Sequence, residues 1–322
     1  MAGAQTGHAL ISMTSDTHLF DLRALTQRRD RAAARVEAHD FLLQRVAEDL
    51  LVRLGAVKRQ FPTVVDLGAH HGVLARSVRQ LPGVSLVISA DSSWRMLSLC
   101  PPPRLLVDLE ALPFADASLD LVVSGLTLHL VNDLPGTLVQ IRRALKPDGL
   151  LLAAVLGGQT LSELREAFLL AESELEGGAS PRIAPFADVR DYGGLLQRAG
   201  FALPVTDTDV VTVTYPSPLA LMQDLRGMGA TNILAARRRV PLRRSTLMRA
   251  CEMYVERHSR PDGRIPATFE IITLTGWAPH ESQQKPLRPG SAQARLADAL
   301  GAREFSAGEK APGLSKNEPE GR

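Results

Sequence analysis

The feature that most constrains this chain is the alternation, between Thr63 and Ala154, of short β-branched or apolar runs with helix-forming runs. Thr63 to Leu67 reads as strand and Val73 to Gln80 as helix. Val84 to Ala90 is strand and Ser93 to Leu99 helix. Arg104 to Asp108 is a short strand and Leu119 to Gly125 an apolar one. Leu134 to Ala144 is helix and Gly149 to Val155 strand. Apolar strands separated by helices predict an α/β fold with a mostly parallel sheet covered on both faces.

The flanks read less regularly. Asp21 to Leu54 reads as one helix, with Phe41, Leu42, Val46, Leu50 and Leu54 at helical spacing, broken by Phe61-Pro62. Further helices are expected over Thr160 to Leu175, Asp188 to Ala199 (stopped by Gly200), Leu219 to Gly227 and Arg244 to Arg257. Val205 to Tyr215 and Ala267 to Trp277 read as strands. Residues 1–15 and the Pro, Gly, Ser, Lys and Glu-rich stretch 286–322 are expected to be disordered. That leaves one domain over 16–285, with a cofactor-binding part at 60–156 and a substrate- or partner-binding part at 157–285.

Composition narrows the classes. Hydrophobic residues make up 45% of the 322 and charged residues 22%, enough for a core of ordinary size. A net charge of +2 gives no argument for a nucleic-acid or membrane partner. The cluster Arg237-Arg238-Arg239 with Arg243 and Arg244 stands apart, as a solvated helix end or as a docking patch for an acidic partner. Cys100 and Cys251 are far apart and in no metal-like spacing, which fits a reducing compartment. No apolar run approaches the roughly 20 residues of a membrane span. No signal pattern is seen, and no Arg or Lys precedes Arg23, which argues against a mitochondrial transit peptide, so a cytoplasmic location is expected for a bacterial chain; for a eukaryotic chain the expectation is the mitochondrial matrix.

The chemistry gathers at the strand ends. Asp66 lies near the end of the first strand, and Gly68 and Gly72 follow in the pattern D-x-G-x-x-x-G. Glycine there lets a ligand approach the backbone, and the next helix N-terminus favours negative charge. An acidic residue before the first glycine leans away from NAD and toward S-adenosylmethionine. Asp91 ends the second strand, where a carboxylate commonly binds ribose hydroxyls. Ser92 and Ser93 follow, and Asp91 could instead cap the next helix. Val107-Asp108-Leu109-Glu110-Ala111-Leu112-Pro113-Phe114 has the form of an adenine-binding segment. That form resembles the segment of class I methyltransferases in which a carboxylate accepts from the adenine amine and an adjacent backbone N–H serves the ring; the resemblance implies those roles for Asp108 and Leu109. Ser124 closes the fourth-strand segment, and Leu145-Lys146-Pro147-Asp148-Gly149-Leu150 turns into the fifth strand. His129, with Asn132 and Asp133, follows the fourth strand, and is the candidate general base or a structural histidine beside the adenosine.

These five ordered segments resemble class I S-adenosylmethionine-dependent methyltransferases of the Rossmann-like kind. The resemblance implies a mostly parallel seven-stranded sheet, helices on both faces, and inserted helices before the last strand. It continues through Gly157-Gly158-Gln159-Thr160, Ser180-Pro181-Arg182-Ile183, Val205-Thr206-Asp207-Thr208-Asp209, Leu221-Met222-Gln223-Asp224-Leu225-Arg226-Gly227-Met228-Gly229 and Pro266-Ala267-Thr268-Phe269. Together these are similar to the respiratory complex I assembly factor family, which occurs in mitochondria and alphaproteobacteria. A looser resemblance is to the biotin-pathway malonyl-carrier-protein methyltransferase.

The resemblance implies S-adenosyl-L-methionine as cofactor, a complex I subunit as protein partner, and cofactor contacts at Asp66, Gly68, His70, Gly72, Asp91, Ser92, Asp108, Leu109 and Ser124. It also implies a competing activity, because the mitochondrial member is described as a protein arginine hydroxylase. A third reading is an assembly chaperone that has kept the fold. The residues give no independent support for oxygen chemistry: no metal site is expected, since adjacent His70 and His71 point apart. Where the family loop reads D-L-G-C-G-x-G, Ala69 and His70 stand here at the Cys and second Gly. Tyr215, Asp224, Arg226, Met228 and Trp277 are candidates for partner recognition, with core packing the alternative for Met228 and Trp277.

Overall fold

The computed structural model describes residues 18–284 and residue 301. Apart from Gly301, the stretches 1–15 and 286–322 lie outside the described residues. The chain divides into units Met1–His280 and Glu281–Arg322, and every named strand and helix belongs to the first.

Seven strands form one sheet: β1 (Thr63–Leu67), β2 (Leu86–Asp91), β3 (Arg104–Leu106), β4 (Leu119–Gly125), β5 (Leu145–Leu156), β6 (Ala202–Tyr215) and β7 (Ile265–Trp277). Their order is β3-β2-β1-β4-β5-β7-β6. The first five run parallel, and β7 lies antiparallel between β5 and β6. This is the expected Rossmann-like architecture with a reversed final strand.

Alternation along each strand sends neighbours to opposite faces. Val64, Leu121 and Val123 face one core with Leu50, Phe168, Tyr254 and Phe269. Val65 and Val122 face the other with Leu138, Ile141, Tyr192 and Leu196. The first face is covered by α2 (Phe41–Gly55), α3 (Val73–Val78), α6 (Ser162–Glu176), α8 (Pro218–Gly227) and α9 (Arg244–His258). The second is covered by α5 (Leu134–Ala144) and α7 (Val189–Arg198). At the β6 edge, Asp207 and Asp209 pair with Arg53 and Arg45 of α2.

The expected single helix over Asp21 to Leu54 is corrected. It divides into α1 (Leu22–Ala32), a 3-10 turn at Val36–Ala38, and α2. Asp21 caps α1 by accepting from the Ala24 N–H at 2.9 Å. Arg35 and His39, both at φ −133°, leave the helical region. The cause is tertiary: Ala32 and Val36 pack on Met96 of α4 (Trp94–Leu97), while α2 turns its apolar stripe to the sheet. Among the described residues, no helix is long and apolar enough to cross a membrane.

Leu50 is fully buried beneath this sheet face. Leu50→Ala is expected to destabilise the fold by about 3 kcal/mol, read as a lowered urea midpoint with the slope unchanged.

Candidate functional site

Parallel strands place the carboxyl ends of β1, β2 and β4 side by side, with Asp66 level with Ser89 and Val123. The loop after β1 turns sharply, with Gly68 at φ +75° and Gly72 at φ +85°. Gly72 is the N-cap of α3. A Cβ on Gly68 would stand 2.3 Å from Thr127 Cγ2, so this glycine is required by close approach as well as by φ. His70, where the family loop has glycine, adopts a left-handed backbone at φ +51°, which costs a non-glycine residue about 1 kcal/mol. Its ring Nε2 lies 3.1 Å from the Gly125 carbonyl and 3.0 Å from Thr127 Oγ1. Burial and the neighbouring Arg29 charge hold this imidazole well below its ordinary pKa.

Asp66 is buried. Its Oδ2 accepts from the Ala75 N–H of α3 at 2.9 Å, and its Oδ1 has no partner. Burial pushes its carboxyl up to about 7. Asp91 is also buried but fully engaged. Its Oδ2 accepts from Arg29 Nη1 and from the His70 N–H, each at 3.0 Å, and its Oδ1 from the Ser93 N–H at 2.8 Å. The side-chain cap of α4 is Ser93, whose Oγ accepts from the Met96 N–H; Asp91 holds that cap in place. Ser92 Oγ is buried without a partner.

Asp108 lies beyond β3, exposed, with Oδ1 accepting from the Glu110 N–H. Leu109 is buried next to it. Ser124 ties the ends of β4 and β1 by donating from Oγ to the Leu67 carbonyl at 2.7 Å.

Two residues that sequence reasoning missed complete this pole. Thr127 Oγ1 lies 3.2 Å from the Gly68 carbonyl and 3.3 Å from that of Gly125. Arg29 of α1, 2% exposed, reaches both Asp91 and, at 3.1 Å, Thr127 Oγ1. Arg29 left a signal: it stands on the apolar stripe Leu25, Arg29, Ala32 of α1, where a charge needs a partner. Thr127 left none.

His129 sits in a 3-10 turn after β4. Its Nδ1 accepts from the Leu156 N–H at 3.3 Å, and its ring meets Phe186 edge-on. Burial drives its pKa down to about 3, so the imidazole is neutral near pH 7. His71 points away, to Asp40 at the start of α2, at 2.9 Å. Among the described residues, no three His, Cys, Asp or Glu groups are arranged to hold a metal.

Beyond β4 and β5 opens an apolar cavity of about 1080 Å³, mouth included. Arg29, His70, His129, Leu43, Met228 and Phe269 are among the residues that line it. His39 also lines it. Its Nδ1 lies 2.6 Å from Asp224 Oδ1, and Asp224 Oδ2 accepts from the Tyr215 hydroxyl at 2.7 Å. Asp224 thus lies one side chain behind the cavity lining, and Tyr215 two. Arg226 is exposed. Trp277 stands at the far end of the sheet, opposite Leu150 and Ala202, where it packs as core.

The sheet order, the glycine loop and the carboxylates at the ends of β1 and β2 define a class I methyltransferase-fold protein. A methyltransferase-domain family model matches residues 65–153. Fold alone is shared with the YcgJ protein of Bacillus subtilis (TM-score 0.51, 15% identity, covering 72% of this chain and 99% of that one). The chain is 39% identical over 287 residues to arginine-hydroxylase NDUFAF5 of Danio rerio, covering 87% of this chain and 89% of that one. For the human protein the figures are 41%, 85% and 81%. A malonyl-[acyl-carrier protein] O-methyltransferase of Gallionella capsiferriformans is 34% identical, with 81% and 92% covered. The chain belongs to the NDUFAF5 family, within the S-adenosylmethionine-binding methyltransferase fold.

Removing one partner of a buried pair is costly because the other charge stays behind. Arg29→Ala and Asp91→Ala should each lower unfolding free energy by about 3 kcal/mol. The double variant should cost clearly less than their sum, read by denaturant titration as a double-mutant cycle.

His129 supplies a pH signature. A lowered folded pKa means that the unfolded chain binds more protons between pH 6.5 and about 3, so stability falls on acidification through that window. Relative to His129→Asn, the wild type should lose about 2 kcal/mol between pH 7 and pH 4.5, measured by denaturant titration at both pH values.

Proposed function

We propose that this chain is an S-adenosylmethionine-dependent enzyme that modifies a protein and thereby supports assembly of respiratory complex I. The observation that carries the reading is the strand-end set Asp66, Gly68, Gly72, Asp91 and Asp108, in a chain of the NDUFAF5 family. The residue types fit the cofactor. The unpartnered Asp66 Oδ1 and Ser92 Oγ are polar atoms such a ligand would satisfy. The Gly68 carbonyl, close to Thr127 Oγ1, suits the ammonium end, Asp91 the ribose, and Asp108 with the Leu109 N–H the adenine. Ser124 and Gly72 shape the cradle, and residues 157–285 supply the substrate side.

When bound, the cofactor supplies a sulfonium methyl group. The chain's own residues bind and orient. His129, neutral and accepting at Nδ1, carries its proton on Nε2; we assign it hydrogen-bond donation into the cavity in place of the base role its position invites. The apolar walls exclude water from the reacting group. The compartment in this reading is a bacterial cytoplasm or a mitochondrial matrix.

A second reading, hydroxylation of a substrate arginine, is favoured by the relatives themselves, which carry the name arginine-hydroxylase at about 40% identity. Both readings share the cavity and differ in the product.

The test has two arms. Calorimetry with S-adenosylmethionine should give saturable binding that His70→Gly strengthens and Asp91→Ala abolishes. Mass spectrometry of complex I subunits with and without this protein should reveal one modified residue, whose mass separates methylation from hydroxylation. No binding by wild type or His70→Gly at millimolar cofactor would remove the first reading. An unchanged subunit would remove both.

A further inference from the structure

The segment after α8 folds back along α1. The Asp21 N–H donates to the Ile233 carbonyl at 2.8 Å, and the Ala235 N–H to that of Leu19 at 2.9 Å. This strap brings Arg28 of α1 together with Arg237, Arg238 and Arg239 of the strap and Arg182 of the segment after α6. They surround a cleft of about 760 Å³, mouth included. The cleft shares Arg182, Thr231 and Asn232 with the apolar cavity, so the two adjoin.

The charges do not balance there. Arg182 is met by the buried Glu172, Arg237 by Asp21 at 2.8 Å, and Arg238 by Glu176 at 2.7 Å. Among the described residues Arg28 has only a neutral hydrogen-bond partner, the Thr231 carbonyl at 2.7 Å, and feels Asp21 at longer range. Arg239 makes no hydrogen bond or ion pair among the described residues and feels Asp21 only at longer range. Burial and the Arg237 charge lower the Arg28 pKa, as expected of a cation held beside a cation. Five guanidinium groups around one concavity, with three carboxylates to meet them, leave an uncompensated positive field directed at the space between. Guanidinium forks match oxyanions in shape as well as charge.

We infer that the cleft lined by Arg28, Arg237 and Arg239 is an oxyanion subsite at the mouth of the apolar cavity, filled by an acidic side chain of the protein whose neighbouring residue enters that cavity. This resolves the two readings of the basic cluster. Arg237 and Arg238 are tied to carboxylates of the fold, while Arg28, which the cluster does not contain, and Arg239 are left for a ligand. The link to a modified residue rests on the proposed function; the anion site does not.

The experiment measures binding without cofactor. A hexaglutamate peptide, a hexaglutamine control and inorganic phosphate are titrated at low salt into the full chain and into Arg28→Gln and Arg239→Gln, followed by calorimetry. Saturable binding of hexaglutamate is expected, weakened about tenfold in each variant, as for loss of one charge-assisted hydrogen bond. The control peptide should not bind. Arg239 has no structural bond to lose, so Arg239→Gln should keep the wild-type melting temperature and decides the matter if Arg28→Gln does not fold. Saturation by phosphate alone, with the same dependence on both arginines, would keep the oxyanion site but overturn the acidic side chain as its occupant. No saturation by either anion, or binding that Arg239→Gln leaves unchanged, would overturn the site. An unmodified complex I subunit beside intact peptide binding would count against the proposed function and not against this site.

Discussion

The carboxyl pole of this protein is organised by one buried ion pair, Arg29 with Asp91. Each charge is costly to desolvate, and the pair is tolerated because the surrounding groups complete it. Asp91 accepts from three donors: the α1 guanidinium, the loop amide of His70 and the helix-capping Ser93. The second arm of Arg29 reaches Thr127, whose single hydroxyl proton lies within reach of either the Gly68 or the Gly125 carbonyl. The ends of β1, β2 and β4 and the first helix are therefore joined in one hydrogen-bonded cluster. One side chain, Arg29, thus engages the Asp91 carboxylate and the Thr127 hydroxyl at once and holds the strand ends together.

The remainder of the molecule is arranged around that pole. The antiparallel β7 lets the chain add β6 to the sheet and still return α8 and α9 to the face that α2 and α6 cover. That return brings the strap at 231–237 against α1 and encloses the cavity between cofactor pole and insert. His129 shows the effect of the enclosure. The 3-10 turn that exposes it to the cavity also removes it from water, and a solvent-exposed imidazole would titrate several units higher.

Much of this was legible in the sequence because it is local. Leu119–Gly125 and Leu134–Ala144 have the bounds that their residue patterns imply, and the structure adds Asp133 as the cap of the helix. Asp91 and Asp108 are conspicuous candidates in the sequence because acidic residues stand at or after strand ends. What could not be read depends on contacts distant in sequence. Nothing in the composition of 21–54 says that Ala32 and Val36 pack on Met96, so the helix boundary was invisible. The engagement of Asp91 by a residue 62 positions earlier is equally silent, although the charge on the Leu25–Ala32 stripe marks where to look. Position alone made His129 a candidate base; burial, a property of the assembled fold, changes its chemistry.

The two rims of the sheet carry a consequence for behaviour at high concentration. An unpaired strand is a template for a second chain. At one rim, β3 has three residues and follows Pro101-Pro102-Pro103, so it offers almost no ladder. At the other, β6 is fourteen residues long, and Asp207 and Asp209 are held by Arg53 and Arg45. An incoming strand would have to accommodate these charges along that rim. Among the described residues, these side chains disfavour edge-to-edge association along that stretch of β6, although Val205 and Val210 of the same strand are exposed.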